Sequence, residues 1–304
     1  MKIVFFGTPD FAVPILEKIH FSNHKILAVV TPPDKQKGRG RKLQFAPVKS
    51  AALNLKLKIL QPEKLTDKNF INELKNINAD LFVVVAFRIL PREVFTIPPK
   101  GSFNLHASLL PKYRGAAPIQ WALIKGEKVT GVTTFFLEEK VDTGNIILQE
   151  KIRIDDNDDY GSLHDKLSLL GAEATIKTID LIETGNFKLI AQNDSLATPA
   201  PKISKEICKI DWNKSAKDVH NLIRGLSPKP GAFFIDRNKI FKIFKSTIAS
   251  VQLPAGKVLQ NKKELTIGCG KNSISILEIQ PEGRKRMTVE EFLRGYSLSE
   301  FVTN

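Results

Sequence analysis

Lys2-Ile3-Val4-Phe5-Phe6 is a short apolar run at the start of the chain and reads as a β-strand. Three similar runs follow, Ile26 to Val30, Leu57 to Leu60 and Leu81 to Ala86, separated by amphipathic stretches. Strands alternating with helical patterns imply βαβ units and a parallel sheet, so the first half of the chain is expected to be an α/β domain with a Rossmann-like, mostly parallel sheet. Further strands are expected at Phe103 to Leu105, Gly131 to Leu137 and Asn145 to Ile154. The helix after them carries Leu163, Leu167, Leu170, Ala174 and Leu181 on one face, and Gly185-Asn186 ends it.

Beyond Phe187 the pattern becomes irregular, with Pro199 and Pro201 flanking Ala200. This divides the chain into an N-terminal domain over 1–188, a linker over 189–205 and a C-terminal domain over 206–304. The last part has one amphipathic helix near Ala216 to Arg224. Short β-like segments follow at Ala232 to Ile235, Ile240 to Phe244, Gly256 to Leu259, Leu265 to Gly268 and Ser273 to Ile279. Closely spaced short strands of this kind suggest a small, OB-like β-barrel.

The chain has 304 residues, enough for about two domains at roughly 150 residues each. Its longest apolar runs fall far short of the ~20 residues that span a bilayer, and 42% hydrophobic content is too high for a disordered chain. An integral membrane protein is thereby excluded. Cys208 and Cys269 are the only cysteines and have no His or Cys at ligand spacing, so neither a zinc site nor a disulfide framework is expected. Ile3 to Phe6 is too short an apolar stretch for a signal peptide, so none is expected, and a cytoplasmic location is expected. The net charge is +14, with +6 on residues 1–188 and +8 on the shorter remainder. Such an imbalance favours a polyanionic partner, nucleic acid among them.

The segment Gly101-Ser102-Phe103-Asn104-Leu105-His106-Ala107-Ser108-Leu109-Leu110-Pro111 carries the chemistry. On a strand, residues i and i+2 share a face, so Asn104 and His106 present an amide and an imidazole side by side. The ordinary account of an isolated buried histidine is a satisfied hydrogen bond, and it suffices for His20, His24, His164 and His220. A second segment, Gly131 to Gly144, runs from an alternating strand into an acidic loop holding Asp142. Together Asn104, His106 and Asp142 supply a hydrogen-bond donor, a proton-transfer group and a carboxylate to orient it. A third feature is Lys35-Gln36-Lys37-Gly38-Arg39-Gly40-Arg41-Lys42, with five basic residues in eight and two glycines that make it flexible. A solvated run is the usual account of such a stretch. Following a strand whose carboxyl end faces the ligand edge of the sheet, it can instead reach a polyanion.

In combination, Asn104 to Pro111, Tyr113-Arg114-Gly115-Ala116-Ala117-Pro118 and Gly131 to Gly144 resemble the folate-dependent formyltransferase family, over essentially the whole chain. Phe6 to Phe11, the basic loop and Ile210-Asp211-Trp212 resemble the branch of that family acting on aminoacylated tRNA. The resemblance implies formyl transfer from 10-formyltetrahydrofolate to the amino group of methionine on initiator tRNA. It places the catalytic residues on Asn104, His106 and Asp142, with no metal. It places the folate site on Ser108, Leu109, Leu110 and Pro111, together with Arg88 and Leu90. Phe87-Arg88-Ile89-Leu90 departs from the aromatic-glycine pair of the tRNA branch and is closer to the same loop in glycinamide ribonucleotide formyltransferases. For tRNA the resemblance implies Lys35, Lys37, Arg39, Arg41 and Lys42, with Arg39 as the key residue, and a monomer is expected to suffice. The alternatives are a formyltransferase acting on a small amine and a nucleic-acid-binding protein that keeps an inactive formyltransferase fold.

Overall fold

The structure, a computed structural model, describes residues 1–37 and 42–302. They form two compact units. One comprises Met1–Gly115, Thr130–Ile152 and His164–Pro199, and the other Ala116–Val129, Arg153–Leu163 and Ala200–Asn304. In the irregular stretch between 189 and 205, the change of unit falls between Pro199 and Ala200. No helix among the described residues is long and apolar enough to cross a membrane.

The strands of the first unit are β1 (Lys2–Gly7), β2 (Lys25–Val30), β3 (Lys35–Lys37), β4 (Lys42–Gln44), β5 (Ile59–Leu60), β6 (Leu81–Val85), β7 (Ser102–His106), β8 (Val129–Phe136) and β9 (Ile146–Arg153). Seven of them make one sheet in the order β5-β2-β1-β6-β7-β8-β9. From β5 to β7 neighbouring strands are parallel, and β8 turns antiparallel to β7. The order 3-2-1-4-5 of the parallel strands is that of a doubly wound sheet.

Both faces of β1 and β6 are covered, which is why these strands read as unbroken apolar runs rather than alternations. Val4, Phe6, Phe82 and Val84 pack with Phe70, Leu74 and Val94 in one cluster, while Ile3, Phe5, Val83 and Val85 are buried as well. Each large side chain so buried contributes about 2 kcal/mol. The helix Lys68–Ile77 starts at Asp67, whose carboxylate accepts the Phe70 N–H at 3.0 Å, and stops at Asn78 in the left-handed region.

Some sequence expectations change in detail. Leu57 to Leu60 shortens to the two-residue β5, and Ala86 falls outside β6 because it turns to φ +47°. The basic segment, expected to be a flexible loop, is flanked by β3 and β4, paired antiparallel with Lys35 opposite Gln44 and Lys37 opposite Lys42. Arg39 and Arg41 lie outside the described residues.

The second unit carries β10 (Ala232–Asp236), β11 (Lys239–Ala249), β12 (Val258–Gln260), β13 (Leu265–Gly268), β14 (Ser273–Pro281) and β15 (Met287–Thr288). They form an antiparallel sheet in the order β10-β11-β14-β13-β12, with β15 on β14. The long β11 pairs with β10 and with β14, and its register against β14 shifts around Lys245. Such irregularities bend a strand and curl a sheet. The result is OB-like and open, with β10 and β12 unpaired to one another among the described residues. An aromatic chain fills it, Trp212 against Phe234, Phe234 stacked on Phe241, Phe241 edge-on to Phe292, and Phe292 stacked on Tyr296.

Candidate active site

On β7 the side chains alternate, and Phe103 and Leu105 are buried on one face. Asn104 and His106 therefore share the other, opposite Phe135 and Thr133 of β8. His106 is 6% exposed, and its Nε2 lies 2.8 Å from the Tyr113 carbonyl. A carbonyl only accepts, so Nε2 carries the hydrogen and Nδ1 is the ring atom left for chemistry. That atom faces Asp142, with Oδ2 at 3.8 Å. The pair is within Coulombic reach but beyond hydrogen-bond range.

Asp142 sits in the β8–β9 loop at φ +57°, a region that disfavours side chains. Its Oδ2 accepts the Gly115 N–H at 2.9 Å. The turn at 113–115 thus holds both groups, His106 through a carbonyl and Asp142 through an amide. Two more non-glycine residues beside the site have positive φ, Tyr113 at +62° in the turn that holds His106 and Ala86 at +47° at the carboxyl end of β6. Strained backbone of this kind clusters at functional sites, where the surrounding structure over-determines it.

Asn104 and Asp142 line a cavity of about 100 Å³ together with Val84, Phe87, Arg88 and Leu90. Arg88 donates to the carbonyls of Pro62 and Glu63 at 3.0 and 3.1 Å, and its Nε is buried with no hydrogen-bond partner among the described residues. Of the residues assigned to folate, Arg88 and Leu90 are therefore gathered with Asn104 and Asp142 at one cavity. Ser108, Leu109, Leu110 and Pro111 do not line it. The Ser108 hydroxyl donates to the Lys112 carbonyl at 2.6 Å, while Leu110 packs with Phe135 and Ile146 and donates its N–H to Thr133 Oγ1. Lys35, Lys37 and Lys42 belong to the β3–β4 hairpin. The metal-ligating side chains that converge among the described residues, His24, Asp180 and Glu183, include none of the site residues.

Gln192 is a site residue that sequence reasoning missed. It reaches the Asp142 loop from within the irregular stretch, where no period or motif flags it.

Two family models match the chain, Formyl transferase over residues 1–179 and Formyl transferase, C-terminal domain, over 202–297. The chain belongs to the formyl transferase family. Among the relatives of this formyl transferase are the methionyl-tRNA formyltransferase of Caldanaerobacter subterraneus subsp. tengcongensis and that of Bacteroides thetaiotaomicron. The first is 47% identical over 304 residues, covering 99% of this chain and 98% of the relative. The second is 46% identical over 312 residues, covering 99% and 97%. Solved structures share the fold. An N-formyltransferase from Helicobacter canadensis in complex with folinic acid and dTDP-3-aminofucose matches with a TM-score of 0.68 at 24% identity, over 94% of this chain and 100% of that one. HypX from Aquifex aeolicus in complex with tetrahydrofolic acid matches at 0.67 and 18%, over 100% of this chain and 51% of that one.

Proposed function

We propose that this formyl transferase moves the formyl group of 10-formyltetrahydrofolate to the amino group of methionine on initiator tRNA, in the cytoplasm. The observation that carries the reading is the side-by-side display of Asn104 and His106 with Asp142 at the imidazole, in a chain that matches methionyl-tRNA formyltransferases over their whole length. The proposed division of labour gives folate chemistry to the N-terminal part, 1–188, and tRNA to the basic hairpin segment and the C-terminal part, 206–304.

An α-amine, with a pKa of about 8, is about one quarter neutral near pH 7.5, a fraction large enough that it needs positioning more than activation. Its nitrogen attacks the formyl carbon, a C–N bond forms, and the carbonyl π pair moves onto oxygen. The Asn104 amide and an imidazolium protonated on Nδ1 of His106 stabilise that oxyanion, each such donor being worth about 3 kcal/mol. The Nε2–H bond to Tyr113 fixes the ring in the required orientation. The Asp142 carboxylate balances the imidazolium and carries the proton released by the amine to the folate nitrogen, which departs as the C–N bond to it breaks. Arg88 and Leu90, which line the cavity with Asn104 and Asp142, are the residues proposed to meet the folate ring system.

The test is release of tetrahydrofolate with Met-tRNA, uncharged tRNA and small amines as acceptors. Turnover confined to Met-tRNA supports the reading. Equal turnover with a small amine would make this a different formyltransferase, and none with any acceptor would leave a nucleic-acid-binding protein on a formyltransferase fold.

A further inference from the structure

Gln192 lies in the irregular stretch after the long helix Tyr160–Thr184, and its side-chain amide touches the loop that carries Asp142. Its Nε2 donates to the Asp142 carbonyl and to the Gly144 carbonyl, both at 2.9 Å, so one amide bridges the carbonyls on either side of Thr143. The orientation of that amide is not arbitrary. Its Oε1 accepts from Nε of Arg114 at 3.1 Å and from Nη2 at 2.7 Å. A guanidinium has donors only, so the atom facing it must be the oxygen, and the NH₂ is thereby turned onto the loop. Arg114 in turn is held by Asp194, Nη2 to Oδ1 at 2.7 Å.

The backbone around Gln192 is tied to the same two loops. Ile190 exchanges both of its main-chain hydrogen bonds with Ile146, at 2.8 and 3.0 Å, just past Gly144. Arg114 N–H donates to the Thr198 carbonyl at 2.9 Å, and Tyr113 N–H donates to Thr198 Oγ1 at 2.9 Å. Residues 190–198 therefore grip both the turn 113–115, which holds His106 and Asp142, and the loop 142–146. Asp142 needs such a grip. Its left-handed backbone is unfavourable for a side-chain-bearing residue, and hydrogen bonding over-determines it on two sides, Gln192 at the carbonyl and Gly115 at the carboxylate.

We propose that Gln192, oriented by Arg114, is a positioning residue that holds the Asp142 carboxylate toward Nδ1 of His106. The role rests on the reading of His106 and Asp142 as the formyl-transfer pair. Gln192 takes no part in bond making; its contribution is the angle at which the carboxylate meets the ring. A displacement of about 1 Å at a reacting group can cost roughly 100-fold in rate, which sets the scale of the effect.

Two measurements test it on the full-length protein. The first is kcat and KM for Gln192→Leu, Arg114→Lys, Asp142→Asn and the Gln192→Leu/Asp142→Asn double variant, by single-turnover formylation of Met-tRNA. Gln192→Leu is expected to lose roughly 10- to 100-fold in kcat with KM for both substrates nearly unchanged, and Arg114→Lys, which keeps one donor to Oε1, to lose less. In the Asp142→Asn background Gln192→Leu should cost less than about twofold, because a residue acting through Asp142 has nothing left to position. An undiminished loss in that background, or wild-type kcat in Gln192→Leu, overturns the proposal.

The second measurement does not depend on turnover. In ¹⁵N spectra of the histidine rings, Gln192→Leu is expected to move the His106 resonances in the same direction as Asp142→Asn does. A His106 signal that shifts with Asp142→Asn and stays in place with Gln192→Leu overturns the proposal. Should the wild-type protein fail to formylate Met-tRNA, the functional reading falls while these spectra still decide whether Gln192 positions Asp142.

Discussion

Nδ1 of His106 and Oδ2 of Asp142 stand 3.8 Å apart, and one short turn holds both, through the Tyr113 carbonyl and the Gly115 amide. Replacing Asp142 by Asn preserves an oxygen for Gly115 and removes the charge that balances an imidazolium. Asp142→Asn is expected to lower kcat by roughly 10²- to 10³-fold while tRNA binding and the folate KM stay close to wild type. Single-turnover formylation together with filter binding of Met-tRNA checks this. Activity within a few-fold of wild type would remove Asp142 from the mechanism.

The loop that carries Asp142 closes over Gly144, where a Cβ would stand 1.8 Å from the Phe136 carbonyl oxygen. That neighbour is backbone at the end of a sheet strand, so it cannot give way cheaply. Gly144→Ala should destabilise the protein by about 3 kcal/mol and lower kcat by moving the loop. Gly185→Ala is the contrasting case, since its φ is +71° but none of the described residues lies within 4 Å of the added methyl. It should cost about 1 kcal/mol and leave kcat unchanged. Urea unfolding and formylation rates on both variants separate the two effects.

The sheet was legible because covering both faces of β1 and β6 forces long apolar runs, and the alternation on β7 put Asn104 beside His106. The shared face of Asn104 and His106 was legible for the same reason, since i and i+2 on a strand need no tertiary information. Gln192 was not, because it acts through a bond to Asp142 fifty positions away, in a stretch with no period to read. Arg114 and Gly115 stood in a quoted motif without a role, because their roles depend on which loops the fold brings against them. The short helix Val289–Leu293 was missed although its start is written in the sequence. Thr288 and Glu291 form a capping box, each side chain accepting the other's backbone N–H.

The segment Lys35 to Lys42 carries five basic residues, joined at its base by the β3–β4 ladder. If it meets the tRNA backbone, neutralising it removes phosphate pairing and the counterion release that goes with it. Changing Lys35, Lys37, Arg39, Arg41 and Lys42 to Gln should raise KM for Met-tRNA and flatten its dependence on salt, by about 0.7 to 0.9 in log–log slope for each phosphate left without its cation. The KM for 10-formyltetrahydrofolate should not move. Initial rates between low and moderate salt check this, and an unchanged slope would make the segment a solvated run.

Cys269 and Cys208 are 1% and 4% exposed. Burial pushes the Cys269 thiol up to about 11 and raises that of Cys208 as well. Both are therefore protonated at pH 8, and it is the thiolate that reacts. Ellman's reagent at pH 8 should find no fast-reacting thiol in the folded protein and two in denaturant. Rapid labelling of either cysteine without loss of structure would show that the second unit opens locally.

His220 of the second unit is pushed below the ordinary imidazole range, mainly by burial and further by the Arg224 cation, with Asp156 opposing. Its Nδ1 meets Ser246 Oγ at 3.1 Å. A group that is harder to protonate when folded leaves the unfolded chain binding more protons as the pH falls below about 6.5. Its contribution to stability is thus intact at pH 7.5 and is lost progressively as the pH drops from about 6.5 through the lowered folded value. His220→Asn keeps a side chain able to bond Ser246 and removes the titration. The urea midpoint of the wild type should therefore fall more than that of His220→Asn between pH 7.5 and 5.5. Parallel curves for the two proteins across that range would show that His220 is protonated as readily in the folded chain as in the unfolded one.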